Sequence, residues 1–341
     1  MVYRHPYRDL DRTSCQDRSA PLGDAVGDGS VSLLGDLSFD HSKSINATVF
    51  MLDNPIVWAA LICFMLGLTL SGLVRLIPVP PVASLVPTAV FLTSYVMTYQ
   101  QVPTFPPVGA VNKIFYIALA AALVGFVLDF LRITKLDRVL AVIVPGLIVG
   151  WIGLPRFANG DLEAMMTAVA LWLGGSVVIW RLNVVAKSTA ERNGGGLVGI
   201  AMLMALMVAF APVALLGGSS TSLMLCFVAV AGLGAVAIWE FLIPGDAFGA
   251  TSVLGAGSGF LAVVSTVTLI TRQIDSVGLA LLLLIPYAGQ LGAWLLLPPD
   301  RIHGRARQVL VGLMTGSPVF AVMAILLLRH PEFFASMRAE Q

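Results

Sequence analysis

Ten apolar stretches, each about 20 residues long, follow one another between residues 56 and 329. A helix needs about 20 apolar residues to cross the hydrocarbon core of a bilayer, so each stretch is a candidate transmembrane helix. Charged residues make up only 11% of the chain, too few to cover a soluble protein of 341 residues. We therefore predict an all-α, polytopic integral membrane bundle of about ten helices. The predicted spans are 56–76, 79–99, 114–132, 138–155, 164–182, 196–217, 222–243, 250–271, 277–298 and 308–329.

Polarity divides the chain into three segments. Residues 1–54 contain five basic and eight acidic side chains and no sustained apolar run, so we expect a disordered polar tail. Met51 stands just before the first span, and a natural start at Met51 is the alternative interpretation. Residues 55–331 form the predicted ten-helix transmembrane domain, and residues 332–341 form a short polar tail.

Basic residues are concentrated in every second connection between the predicted spans. Ten fall between odd and even spans, at Arg75, Arg132, Lys135, Arg138, Arg181, Lys187, Arg192, Arg301, Arg305 and Arg307. Three fall between even and odd spans, at Lys113, Arg156 and Arg272. Because basic loops stay in the cytoplasm, this bias predicts that both termini lie outside. We expect an integral protein of the bacterial inner membrane that contacts the lipid bilayer.

Two segments of the chain resemble each other in a way that suggests an internal repeat. Residues 169–181 and 228–240 are identical at six of thirteen positions, including a glycine followed five residues later by tryptophan. Gly289–Trp294 repeats this spacing, and Gly125–Phe130 is a weaker copy. The even spans carry a proline or a glycine cluster near their middle. Either a two-helix hairpin is used five times, or the similarity is compositional.

Ionisable residues inside predicted spans are costly and are therefore candidate functional groups. Asp129 and Glu240 lie near the cytoplasmic ends of the third and seventh spans. They could carry a coupling proton, or they could pair with Arg75 or Arg181 and hold helices together. The repeat alignment places Arg181 and Glu240 at equivalent positions, so it predicts an interfacial ion pair between these two residues.

The eighth span is the most polar of the ten. It contains Ser258, Ser265, Thr266 and Thr268 beside a cluster of three glycines between residues 255 and 259. Hydroxyls and an unwound backbone can line a site for an uncharged solute. The alternative is that the hydroxyls bond to their own helix and the glycines permit close packing. With Asp129 and Glu240, these four hydroxyl residues form the candidate polar pathway.

Several function classes are excluded by what the sequence lacks. The formal net charge of +1 provides no basic footprint for nucleic acid. The three cysteines are scattered, and the four histidines lie outside the apolar stretches, so we expect no metal site and no cofactor. No HExxH or GxSxG motif is present, and we expect that the protein is not an enzyme.

Two functional hypotheses remain after these exclusions. The first is a transporter-like permease for a small neutral or amphipathic solute. It is suggested by the proline or glycine cluster in each even span and by the hydroxyls of the eighth span. The second is a structural or accessory subunit of a larger membrane complex, suggested by the shortage of buried ionisable residues. The expected partners are accordingly a small-molecule solute, another membrane protein or a second copy of the chain.

Overall fold

The computed structural model describes residues 54–76, 80–107, 109–133, 136–191, 196–243, 245, 247–271, 276–288 and 305–331. Within these ranges all regular elements are helices, which confirms the predicted all-α membrane bundle, and nine helices are long and apolar enough to cross a membrane. The predicted ninth span is described only as far as residue 288, where a shorter apolar helix lies. Apart from Asn54, the two predicted polar tails lie outside the described residues, as do Met51 and the repeat copy Gly289–Trp294.

The helices follow the predicted spans in order. They are α1 Pro55–Val74, α2 Leu85–Tyr99, α3 Ala110–Leu131, α4 Asp137–Phe157, α5 Leu162–Glu191, α6 Leu197–Leu216, α7 Ser220–Leu242, α8 Ala250–Thr271, α9 Ser276–Ala288 and α10 Arg305–Arg329. A single helical turn, Pro80–Ala83, precedes α2. Helix α5 continues well past the predicted end at residue 182, because backbone hydrogen bonding can continue through polar residues where hydropathy falls.

Two of the prolines inside the helices free carbonyl groups that side chains satisfy. Pro155 lacks the N–H that would bond to the carbonyl of Trp151, and Lys113 Nζ donates to that oxygen at 2.8 Å. Pro318 likewise frees the carbonyl of Met314, which accepts a hydrogen bond from the Ser317 hydroxyl at 2.8 Å. Helices α4 and α10 therefore continue through Pro155 and Pro318.

Helix α8 lies at the centre of the bundle. Of the residues in its membrane-spanning window, 94% are buried, compared with 22% for α1 and for α10. Helices α2, α3, α4, α5 and α6 pack around α8, while α7 packs against α1, α2 and α6, and α10 packs against α6. Large apolar side chains on the outer helices are exposed, among them Leu123, Leu147, Leu173 and Phe320. This exposed apolar surface requires contact with lipid.

The glycines of the repeat motif occupy different surroundings. A Cβ at Gly125 would lie 2.6 Å from the Cα of Thr251, so this glycine lets α3 approach the backbone of α8. A Cβ at Gly175 would meet only side chains, and one at Gly234 would meet a single methionine carbon at 3.8 Å. A close approach between helix backbones is therefore found at Gly125 and is not found at Gly234.

Candidate functional site

Asp129 caps the N-terminus of α8 from the last turn of α3. Its Oδ1 accepts the N–H of Ala250 at 2.9 Å. Its Oδ2 accepts the N–H of Thr251 at 2.9 Å, the hydroxyl of Thr251 at 2.6 Å and the hydroxyl of Ser84 at 2.9 Å. Four donors thus converge on one carboxylate, at the helix end where the backbone N–H groups have no intrahelical partners.

Glu240 occupies a similar position near the C-terminal end of α7. Its Oε2 accepts the N–H of Gly196, which precedes α6, at 2.8 Å and the N–H of Gly245 at 3.2 Å. Its Oε1 lies 2.8 Å from Nη2 of Arg75. The Glu240 side chain is 1% exposed and that of Arg75 is 19% exposed. Arg75 also donates through Nη1 to the carbonyl of Ile243. The cluster joins α1, α6, α7 and the segment that follows α7.

The structure replaces the predicted ion pair between Arg181 and Glu240 with the pair Arg75–Glu240. Helix α7 packs closely along α1, which brings Arg75 to the carboxylate. Arg181, on α5, instead lies against α9, where it donates to the carbonyl of Pro286 at 3.4 Å and stands 4.6 Å from the ring centre of Tyr287. The alignment compared positions along successive helices, and it contained no information on which helices are neighbours.

The candidate hydroxyls of α8 fall into two groups. Thr268 bonds to the carbonyl of Val264 in its own helix at 2.7 Å, as the packing alternative predicts. Ser258, Ser265 and Thr266 are buried, and their hydroxyls have no hydrogen-bond partner among the described residues. Buried polar groups in native proteins are nearly always paired with protein, water or a ligand. These three hydroxyls are therefore the part of the predicted pathway that packing does not explain.

The glycine cluster in α8 coincides with a change of helix type. Val253–Gly257 is π-helical, a rare geometry that is found frequently at functional sites. A Cβ at Gly255 would collide with Thr88 of α2 and would lie 2.9 Å from the Cβ of Ala122 of α3. A Cβ at Gly259 would collide with the ring of Phe91. The expected irregular backbone is present, and the glycines also let two helices approach it closely.

A cavity of about 270 Å³ opens at the C-terminal end of α8. Thr268 lines it together with Arg156 of α4, with Thr167 of α5, and with Asp161 and Glu163 at the start of α5. Since basic residues favour the opposite end of the bundle, the predicted topology places this cavity on the outer side of the membrane. Helix α8 thus extends from an open polar cavity to the Asp129 cluster at its other end.

Sequence reasoning did not identify the charged residues of this cavity. The connection between the fourth and fifth predicted spans contains all three of them, Arg156, Asp161 and Glu163. Charged residues are common in such connections and do not by themselves indicate a site. The available signal was that these charges and the end of the eighth span lie on the same side of the membrane in the predicted topology. Among the described residues, no group of three or more His, Cys, Asp or Glu could hold a metal ion.

Comparison with known proteins adds no constraint to this site. No protein-family model matches the chain, and no curated protein sequence matches it.

Proposed function

We propose that the protein is a permease for a small solute without net charge, and that the solute passes beside α8. The observation that carries the proposal is that the buried hydroxyls of Ser258, Ser265 and Thr266 have no hydrogen-bond partner among the described residues. The helix that carries them ends at an open cavity. Ser258 and Ser265 are seven residues apart, so they share one face of the helix. Thr268, one turn beyond Ser265, lines the cavity.

Unpaired hydroxyls are costly in the interior of a membrane bundle, which supports a pathway that contains water or solute. Each buried polar group without a partner costs about 1–3 kcal/mol. A hydroxyl both donates and accepts a hydrogen bond, so Ser258, Ser265 and Thr266 can satisfy a neutral polar solute without binding a charge. The π-helical segment is the kind of irregular backbone that transporters place beside a solute.

The two carboxylates support a structural role for Asp129 and Glu240 within this proposal. Asp129 accepts four hydrogen bonds, and Glu240 accepts two from backbone N–H groups in addition to its ion pair. Neither side chain needs a transported proton to account for its presence. The proposal includes a bacterial inner membrane location, termini on the outer side and no enzymatic activity.

Transport can be tested with purified protein in liposomes, by stopped-flow light scattering under gradients of glycerol, urea and L-alanine. We expect swelling faster than in empty liposomes for at least one solute. Ser265→Ala and Ser258→Ala should each slow it, by about fivefold for a hydrogen bond of about 1 kcal/mol in the rate-limiting step. Ser94→Ala is the matched control, since Ser94 is equally buried but bonds to the carbonyl of Val90 at 2.8 Å.

The same preparation can distinguish the permease from an accessory subunit. Liposomes that take up all three solutes no faster than empty ones would contradict the proposal. Native mass spectrometry that then showed a stoichiometric protein partner would support the accessory role, whereas a dimer mass alone would indicate a homo-oligomer.

A further inference from the structure

The cavity at the C-terminal end of α8 carries charged groups of both signs on its walls. Arg156, in the last turn of α4, contributes a cation, and Asp161 and Glu163, at the start of α5, contribute carboxylates. From this lining we infer that the cavity binds a small zwitterion of the α-amino acid type. The inference rests on the proposed permease function and names the substrate class of that function.

Arg156 has hydrogen-bonding capacity for a ligand carboxylate. Its Nη2 donates to the carbonyl of Ile270 at 2.9 Å, near the C-terminal end of α8. Among the described residues it makes no ion pair and no other hydrogen bond. A guanidinium has five N–H donors and binds carboxylates in a bidentate manner, so most of its donors remain for a ligand. The bond to Ile270 meanwhile fixes the side chain at the wall of the cavity.

Glu163 offers an acceptor for a ligand ammonium group on the wall of the same cavity. Asp161 is held in place at the start of α5, where its Oδ1 accepts the N–H of Ala164 at 3.2 Å. Glu163, in the first turn of α5, is exposed and makes no hydrogen bond or ion pair with a described residue. An ammonium group can therefore bind Glu163 without displacing a contact present in the structure.

The size and charge of the cavity restrict the ligand further. A cavity of about 270 Å³ suits a small solute better than a peptide. Leu269 and Leu279 provide an apolar patch for a small side chain. An anion alone would be repelled by the carboxylates and a cation alone by Arg156, so a ligand with both charges is selected.

Binding can be measured with the full chain in detergent by isothermal titration calorimetry. The probes are L-alanine, L-valine and glycine as zwitterions, with propionate and ethylammonium as analogues of alanine that each lack one charged group. We expect at least one zwitterion to bind, and each single-charge analogue to bind about tenfold more weakly, as is typical when one charged contact is lost. Arg156→Gln and Glu163→Gln should each weaken zwitterion binding by about the same factor.

Arg138→Gln is the matched control, because Arg138 lies on the same helix at the opposite end of the bundle and should leave binding unchanged. Absence of binding by all three zwitterions would overturn the inference, as would equal binding of alanine and its analogues or binding indifferent to both variants. Binding without uptake in liposomes would uphold the zwitterion site and contradict the permease. Uptake of glycerol or urea without zwitterion binding would do the reverse.

Discussion

The ion pair between Arg75 and Glu240 allows a sharp test of how the bundle is held together. Removing one partner of a buried pair costs about 3–5 kcal/mol, because the other charge is left uncompensated. The two residues differ in exposure, with 1% for the Glu240 side chain and 19% for that of Arg75. The variant that leaves Glu240 alone should therefore be the more damaging one.

We expect Arg75→Gln to lower the free energy of unfolding by about 3 kcal/mol, because a carboxylate that is 1% exposed then loses its arginine partner. Glu240→Gln should cost about 2 kcal/mol, since an amide oxygen in the place of Oε2 can keep both bonds from the N–H groups of Gly196 and Gly245, and Arg75 can reach water. The double variant should cost less than the sum of the two, with a coupling energy of about 1–3 kcal/mol.

Equilibrium unfolding in mixed micelles, followed by tryptophan fluorescence, would measure all four proteins. The matched control is the cycle of Arg181→Gln with Glu240→Gln, for which we expect coupling below about 0.5 kcal/mol, because Arg181 lies against Pro286 and Tyr287. Additive losses in the Arg75 cycle, or strong coupling in the Arg181 cycle, would refute the assignment of the pair.

Three further predictions concern capping, packing and topology. Asp129→Asn should lower stability by about 2 kcal/mol in the same assay, because one amide oxygen cannot serve four donors, and an unchanged midpoint would contradict the capping role. Gly125→Ala should cost about 1–3 kcal/mol through its clash with α8, while the control Gly150→Ala, with open space around its Cβ, should be neutral or stabilise by up to about 1 kcal/mol. A cysteine at Asn159 should react with impermeant thiol reagents in intact cells and one at Lys187 should not; the reverse pattern would contradict the predicted orientation.

The membrane bundle and the special character of α8 could both be predicted from the sequence. Runs of apolar residues determine where helices cross the bilayer, because no soluble fold could cover so much apolar surface. The hydroxyls of α8 could be singled out because polar atoms are costly at this depth in a membrane, and its three glycines could be singled out because they interrupt an apolar helix. Ser258, Ser265 and Thr266 are buried with no hydrogen-bond partner among the described residues, whereas Thr268 bonds to its own helix.

The neighbours of each helix could not be predicted in the same way. Lipid tails are as apolar as leucine, so an apolar helix face carries little information about its partner. Arg75 and Glu240 are separated by 165 residues, and their contact depends on the packing of α1 along α7. Gly125, Gly175 and Gly234 share a position in the repeat motif but meet different surroundings, so the motif does not indicate the neighbours of a helix. The cavity was missed because it is formed by loop-end residues of four helices.

One signal for the capping clusters was nevertheless present in the sequence. Asp129 and Glu240 both lie in the last turn of an apolar helix, where the helix dipole opposes a negative charge. An acid at that position is stable only if another group compensates it, and the N-termini of α8 and α6 do so. A bundle that separated α3 from α8 would leave the Asp129 carboxylate uncompensated at the C-terminal end of α3. A bundle that separated α7 from both α1 and α6 would do the same to Glu240. Because apolar faces discriminate poorly between helix partners, these two acids add a specific penalty against the alternative arrangements.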